Sequence, residues 1–305
     1  MLLLSLFDGK KIPLDNLEHI ERNAPDIIVW AAPAMFFFAA LEFIISWKQD
    51  HKYYEKKETF GSIMVGLGNV VVSALLKATL LYGAVCVYNL IPWRMTLNWW
   101  TFLPCYIIFD FCSYWAHRIS HAQRFWWATH IAHHSGEHYN LTVSFRLSWV
   151  QDLKIIFFLP VAFLGFHPII IFVVNQIAIL FQFWVHTEYI RKMPRFIEYI
   201  FATPSNHRVH HGSQEKYIDK NFGATFIFWD RLFGTYQPEE EQVIYGITSP
   251  LPKEKKANPL YLNFHEYLDI WKDVKKAKGF RKKCHFIFGS PAGIAMRKKE
   301  AAAAR

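Results

Sequence analysis

Residues 109–134 read FDFCSYWAHRISHAQRFWWATHIAHH. The first part closes an apolar run that begins near Trp99. The second holds five histidines, His117 and His121 spaced HxxxH, then His130, His133 and His134 spaced HxxHH. The chain has 15 histidines in 305 residues, so five within eighteen positions is far above its own average. A third cluster, His207, His210 and His211, repeats HxxHH as HRVHH. Packing does not ask for this, because imidazole is a poor core filler unless its nitrogens are satisfied. Metal binding does. On a helix, residues i, i+3 and i+4 share a face, so each motif is expected to aim its imidazoles at one point. Eight imidazoles exceed the four ligands of a structural zinc and suit a two-metal centre. Imidazole serves iron, zinc, copper and nickel, so ligand type alone does not choose the metal.

Working outward, apolar runs long enough to cross a bilayer recur at about 27–47, 63–89, 99–115 and 169–185, with a shorter one at 153–166. The chain is 52% hydrophobic and 18% aromatic, with 28 Phe and 12 Trp, a load that fits a protein partly dissolved in lipid. The expected fold is all-α: a polytopic integral membrane protein of four to five segments with a cytosolic helical cap holding a histidine-rich dimetal site. Three parts are expected: an N-terminal segment 1–26, a membrane-embedded domain 27–250, and a basic amphipathic tail 251–305. The fourth run is short and breaks at Gly165-Phe166-His167-Pro168, which predicts a tight hairpin with the fifth. In the tail, Phe264, Tyr267, Leu268, Trp271 and Val274 recur at helical spacing, predicting a helix that lies on the membrane or packs on the cap.

Charge sets the topology. The loop 48–62 carries Lys48, Lys52, Lys56 and Lys57, whereas 90–98 carries only Arg94. The positive-inside rule puts the first loop in the cytosol, and alternation brings every histidine cluster to that side. A transporter would string its histidines across the bilayer, so a membrane metal transporter or metal-binding protein is the weaker reading. The net charge of +9 points to anionic headgroups; no nucleic-acid motif accompanies it. Of Cys86, Cys105, Cys112 and Cys284, the first three lie in apolar runs and none forms a CxxC pair, so neither a disulfide framework nor a sulfur-ligated metal is expected. No cleavable signal is expected from MLLLSLF, which lacks a basic n-region.

HRISH, HIAHH and HRVHH, with HHSGEHYNLTVSFRLSW at 133–149, QFWVHTE at 182–188, TPSNHRVHHG at 203–212 and IDKNFGATFIFWDRLFGTY at 218–236, resemble the fatty acid hydroxylase and sterol desaturase superfamily, closest to its alkylglycerol monooxygenase-like branch. The resemblance implies a cytosolic di-iron site that uses O2 to oxidise a C–H bond of a lipid. Hydroxylation, ether cleavage and desaturation of alkyl, acyl or sterol substrates all stay open. Carried over, the iron ligands are His117, His121, His130, His133, His134, His207, His210 and His211. His186 is a ninth, since the family places a histidine after its last span, with Gln182 one turn before it. Two positions depart from close relatives: Ala122 stands where a Glu often follows the first motif, and Asn206 where many have His. The first weakens an inference to tetrahydrobiopterin as electron donor. Nothing in the chain resembles a nicotinamide, haem or iron–sulfur motif, so electrons are expected from a separate reductase, a cytochrome b5-like protein or a pterin. The implied location is the endoplasmic reticulum in a eukaryote or the inner membrane in a bacterium.

Groups behind the ligands should orient them. Asp110 is the leading candidate, because Asp110, Tyr114, His117 and His121 step by 4, 3 and 4 along one helix face, and an acid inside a span is a functional hypothesis by default. Glu137, Asn140, Asp219, Asn221 and Asp230 lie near ligands in sequence. Arg146 is a candidate for a headgroup or pterin. Glu42 and Lys77 lie in the first two spans, to pair or to snorkel.

Overall fold

The computed structural model describes residues 8–16, 18, 22 and 24–303. Among them the chain is helical, with isolated bridges but no β-strand. Helices α1 (Ile27–Lys48) and α2 (Lys56–Leu90) are long and apolar enough to cross a membrane. Only 11% of the most apolar window of each is buried, so little of that surface is used by protein core. Trp30, Phe37, Val70 and Leu75 are all more than half exposed. Water penalises such surface by about 25 cal/mol per Å², and lipid does not.

Helix α3 (Phe102–Ala122) carries the third apolar run straight through His117 and His121. Two short helices follow, α4 (Arg124–Ala128) and α5 (Ile131–His134). The run at 153–166 is broken, as its length and its turn signal suggest. Gln151–Phe158 winds as a 3-10 stretch, and the short α6 (Leu159–Phe163) carries Pro160 in its first turn, where the missing N–H has no helical partner to lose. The chain reverses at Gly165, φ +91°, where a Cβ would lie 2.2 Å from the Trp93 carbonyl oxygen, so only glycine fits. Helix α7 (Pro168–Trp184) then leads to His186. Cys105, Tyr106, Phe109 and Cys112 of α3 pack with Val161, Phe166, Ile170 and Val174 to fix α3, α6 and α7 together.

The histidine segments gather where α1 ends and α2 begins. Glu42, near the end of α1, accepts from Leu141 N at 2.8 Å, and Glu58, in the first turn of α2, accepts from Glu137 N at 3.0 Å. The 3-10 stretch Leu141–Phe145 and Trp149 lie in a glycine notch of α2, where a Cβ on Gly68 would sit 2.3 Å from the Trp149 ring. Short helices α8 (Arg195–Ile200), α9 (Pro204–His210) and α10 (Phe228–Phe233) complete this end. Behind them come α11 (Pro259–Lys276), α12 (Phe280–Phe288) and α13 (Pro291–Ala303). Helix α11 packs on this end through Leu262, which is buried with Val65 of α2 and Ala132 of α5, while Leu268 and Trp271 of its expected apolar face stay more than half exposed.

Candidate metal centre

Nine imidazoles converge as two groups. His117, His121, His130, His134 and His210 form one, and His133, His186, His207 and His211 the other; within each, one nitrogen per ring lies within 4.8 Å of all the rest. The expectation that each motif aims at a single point holds for HxxxH only. Each HxxHH divides, its first and last histidines entering one group and its middle one the other. The physical reason is helical pitch: neighbouring residues project about 100° apart, so an HH doublet faces two directions.

The geometry within each group is that of ligands around an ion. Nε2 atoms stand 2.8 Å apart for His117 and His130, 3.1 Å for His130 and His134, and 3.1 Å for His134 and His210. In the second group the spacings are 3.2 Å for His133 and His186, 3.0 Å for His186 and His207, and 3.3 Å for His207 and His211. Two nitrogens each about 2.1 Å from one ion, at about 90°, lie about 3 Å apart. His121 Nε2 is buried without a hydrogen-bond partner, an expense that an ion would relieve. Burial, with neighbouring imidazoles adding to it for most of them, pushes His130, His133, His134, His207, His210 and His211 well below the ordinary histidine value, and burial pushes His186 down to about 4. These rings are neutral at pH 7 with lone pairs free. An all-nitrogen donor set fits iron, zinc, copper or nickel and does not fit magnesium or calcium.

Backbone carbonyls select the tautomers. His117 Nδ1 donates to Phe222 O at 2.8 Å, His210 Nδ1 to Lys220 O at 2.9 Å, and His186 Nδ1 to Gln182 O at 2.7 Å, turning each Nε2 towards its group. Gln182 thus acts through its carbonyl; its side chain bonds Ala178 O. Two of these carbonyls come from one loop, 218–223, in which Asp219 and Asn221 adopt left-handed φ of 57° and 55°. The Asp219 carboxylate reaches His121 Nδ1 at 3.4 Å. Asn221 ties the loop to Asn206 O and Gln237 O at 3.0 and 2.7 Å. Asp230, at the first turn of α10, accepts from Phe222 N and Gly223 N at 2.7 Å each and from the Thr235 hydroxyl at 2.6 Å.

Other sequence candidates do not touch an imidazole. Asp110 accepts from Thr225 N at 2.8 Å, Phe226 N at 3.2 Å and Trp229 Nε1 at 3.0 Å, pinning the strand of chain that follows the loop onto α3. Glu137 pairs with Lys256 at 2.5 Å near the surface. Asn140 caps the 3-10 turn, accepting from Thr142 N at 3.0 Å. Arg146 is only 1% exposed and its guanidinium is spent on Ala132 O at 2.9 Å and Ser135 Oγ at 2.7 Å, bracing the HIAHH turn from behind. Lys77 pairs with Asp26 at 3.1 Å, not with Glu42.

Three buried charges matter more than the sequence suggests. Glu42 bonds Thr187, next to His186, and also Tyr54. Glu58 takes His138 Nδ1 at 3.0 Å and Lys256 at 3.2 Å. Arg208, between His207 and His210, grips Glu239 with two bonds of 2.7 and 2.8 Å and donates to Thr187 O and Ile190 O at 2.9 and 2.8 Å, locking the His186 turn to α9. A charge inside an otherwise apolar run was the available signal for Glu42; a basic residue flanked by three ligands was the one for Arg208.

Residues 102–235, which hold all nine histidines, match the model of the fatty acid hydroxylase family. The chain is 34% identical over 276 residues to the alkylglycerol monooxygenase of Xenopus tropicalis and 34% over 277 residues to that of Homo sapiens, covering 88% of this chain and 60% of the relative in each case. It therefore spans about 60% of the length of these relatives. It is 28% identical over 153 residues to an ornithine lipid hydroxylase of Rhizobium tropici, 48% of this chain and 45% of that one. No solved structure matches.

Proposed function

We propose that this chain, whose residues 102–235 match the fatty acid hydroxylase family, is a membrane monooxygenase whose nine histidines hold two iron ions and which uses O2 to hydroxylate a C–H bond of a lipid. The observation that carries the reading is the sorting of nine imidazoles into a group of five and a group of four, with Nε2 spacings of 2.8–3.3 Å. The leading target is the carbon beside the ether oxygen of an alkylglycerol, the substrate class after which the Xenopus tropicalis and Homo sapiens relatives are named.

Bound iron supplies the activation of O2; the chain supplies ligands, aim and dryness. Lys220 O, Phe222 O and Gln182 O hold His210, His117 and His186 in the ligating tautomer. Burial of the four-histidine group, and of His134 and His210 in the other, limits access of bulk water to the oxidation. Their position at the shared end of α1 and α2 lets an alkyl chain reach them from lipid. In this reading α1 and α2 cross the bilayer, α3 and the α6–α7 hairpin embed beside them, and the histidine end faces the cytosol at the endoplasmic reticulum or a bacterial inner membrane. One oxygen atom enters the substrate and the other leaves as water, so two electrons and two protons come from outside, through a reductase, a cytochrome b5-like protein or tetrahydrobiopterin. Hydroxylation beside the ether oxygen yields a hemiacetal, which separates into an aldehyde and glycerol.

Incubation with 1-O-alkylglycerol, reductant and 18O2 tests this. The expected product is aldehyde carrying the label. Absence of label from aldehyde and from every other lipid product would contradict the proposal.

A further inference from the structure

The charge of this chain is concentrated at one end. Residues 251–305 hold 14 Lys and Arg against five Asp and Glu, while residues 1–250 hold 20 of each, so the whole net charge of +9 lies in the last 55 residues. The structure shows where the balancing acids go. Glu266 and Asp273 of α11 bind Arg124, which is 3% exposed, at 2.5 and 2.6 Å, and Asp273 also takes Lys298 at 2.6 Å. Lys276, Lys278 and Lys282 have no carboxylate partner among the described residues, and with Arg297 they line a cavity of about 550 Å³ between α11, α12 and α13.

Large apolar side chains are interleaved with these cations. Helix α11 buries Leu262, Asn263, His265 and Ile270 on its inner face, which leaves Trp271 59% exposed; Phe280 and Phe288 bracket the Arg281-Lys282-Lys283 run at 83% and 52% exposed. The location is also fixed. The segment leading into α11 lies against the first turns of α2, where a Cβ on Gly61 would stand 2.7 Å from Lys256 O. That is the end of the bundle where α1 finishes at Trp47 and Lys48 and where the lysines of the 48–57 loop lie.

We propose that the outer face of α11–α13 docks on the anionic leaflet of the bilayer that α1 and α2 enter. Acidic phospholipid headgroups neutralise the unpaired lysines, and Trp271, Phe280 and Phe288 seat at the boundary with the acyl chains. An acidic protein would satisfy the lysines but leave the exposed aromatics to be matched separately; an anionic leaflet satisfies both at one interface. The proposal rests on the membrane placement argued above and not on the oxygenase chemistry, so the two fail independently.

Hydrogen exchange of the full chain in lipid nanodiscs tests it. Amides of residues 268–288 should exchange about tenfold more slowly in discs containing phosphatidylglycerol than in phosphatidylcholine alone, and added salt should erase the difference. The triple variant K276Q/K278Q/K282Q should lose the difference while the α3 amides stay as protected as before. Equal exchange in the two discs overturns the proposal. So does protection in phosphatidylcholine discs produced by inorganic phosphate alone, which marks a free-anion site, or produced only by an added acidic redox protein, which marks a protein partner.

Discussion

His138 lies four residues beyond the HIAHH motif and enters neither histidine group. Its hydrogen bond to the Glu58 carboxylate raises its pKa above the ordinary value, with burial opposing. The folded state therefore favours the protonated ring. The stability gained is fully present below pH of about 6.5, the unfolded value, and is lost as pH rises through the raised folded value. A bond to a charged partner contributes about 1.5–3 kcal/mol. His138→Gln should lower Tm distinctly near pH 6 and little near pH 9; a decrement that does not change with pH would contradict the pairing. Arg208 makes a second prediction. Arg208→Lys keeps the charge but not the fork that holds Glu239, Thr187 O and Ile190 O, and should cost about 3 kcal/mol in thermal unfolding. An unchanged Tm would contradict that clamp. The sequence named the histidines because their spacing is abnormal at a glance. It did not name the roles of Arg208, Glu42 or Glu58, because a charge within a run says nothing of the distant backbone it will meet.

The elements around the site divide into those that carry ligands and the loop 218–223 that aims them. Asp230 reaches His117 only through Phe222, whose N–H it accepts and whose carbonyl takes the imidazole proton. Asp230→Ala should therefore weaken metal binding in the five-histidine group by about 10–100-fold and leave the four-histidine group unchanged, as read by chelator competition. Equal weakening of both would contradict this path. Asp110 shows the limit of pattern reading at this scale. Its helix face with Tyr114, His117 and His121 was legible, but its partners are the backbone of 225–226 and Trp229, more than a hundred residues away. The division of each HxxHH motif was within reach of helical pitch alone. Which group each ring joins depends on how α3, α5 and α9 cross, and no local pattern encodes that.

At the scale of the whole molecule, the long apolar runs and the helical class were legible from length and composition, since α1, α2 and α7 begin and end within a turn or two of the apolar runs. The interruption at 151–163 depended on a proline and a short run, and the packing of α11 against α2 and α5 on long-range contacts. Arg124, one turn after His121, binds Glu266 and Asp273, so the basic helices and the metal-binding segments form one structure. The central claim is that distant imidazoles meet around two ions. Metal analysis of the purified chain beside His134→Ala and His207→Ala, one substitution in each group, tests it most directly. The account predicts about two ions per chain, with each variant losing one and keeping the other. A chain that binds none, or two variants that both keep the full complement, would contradict it.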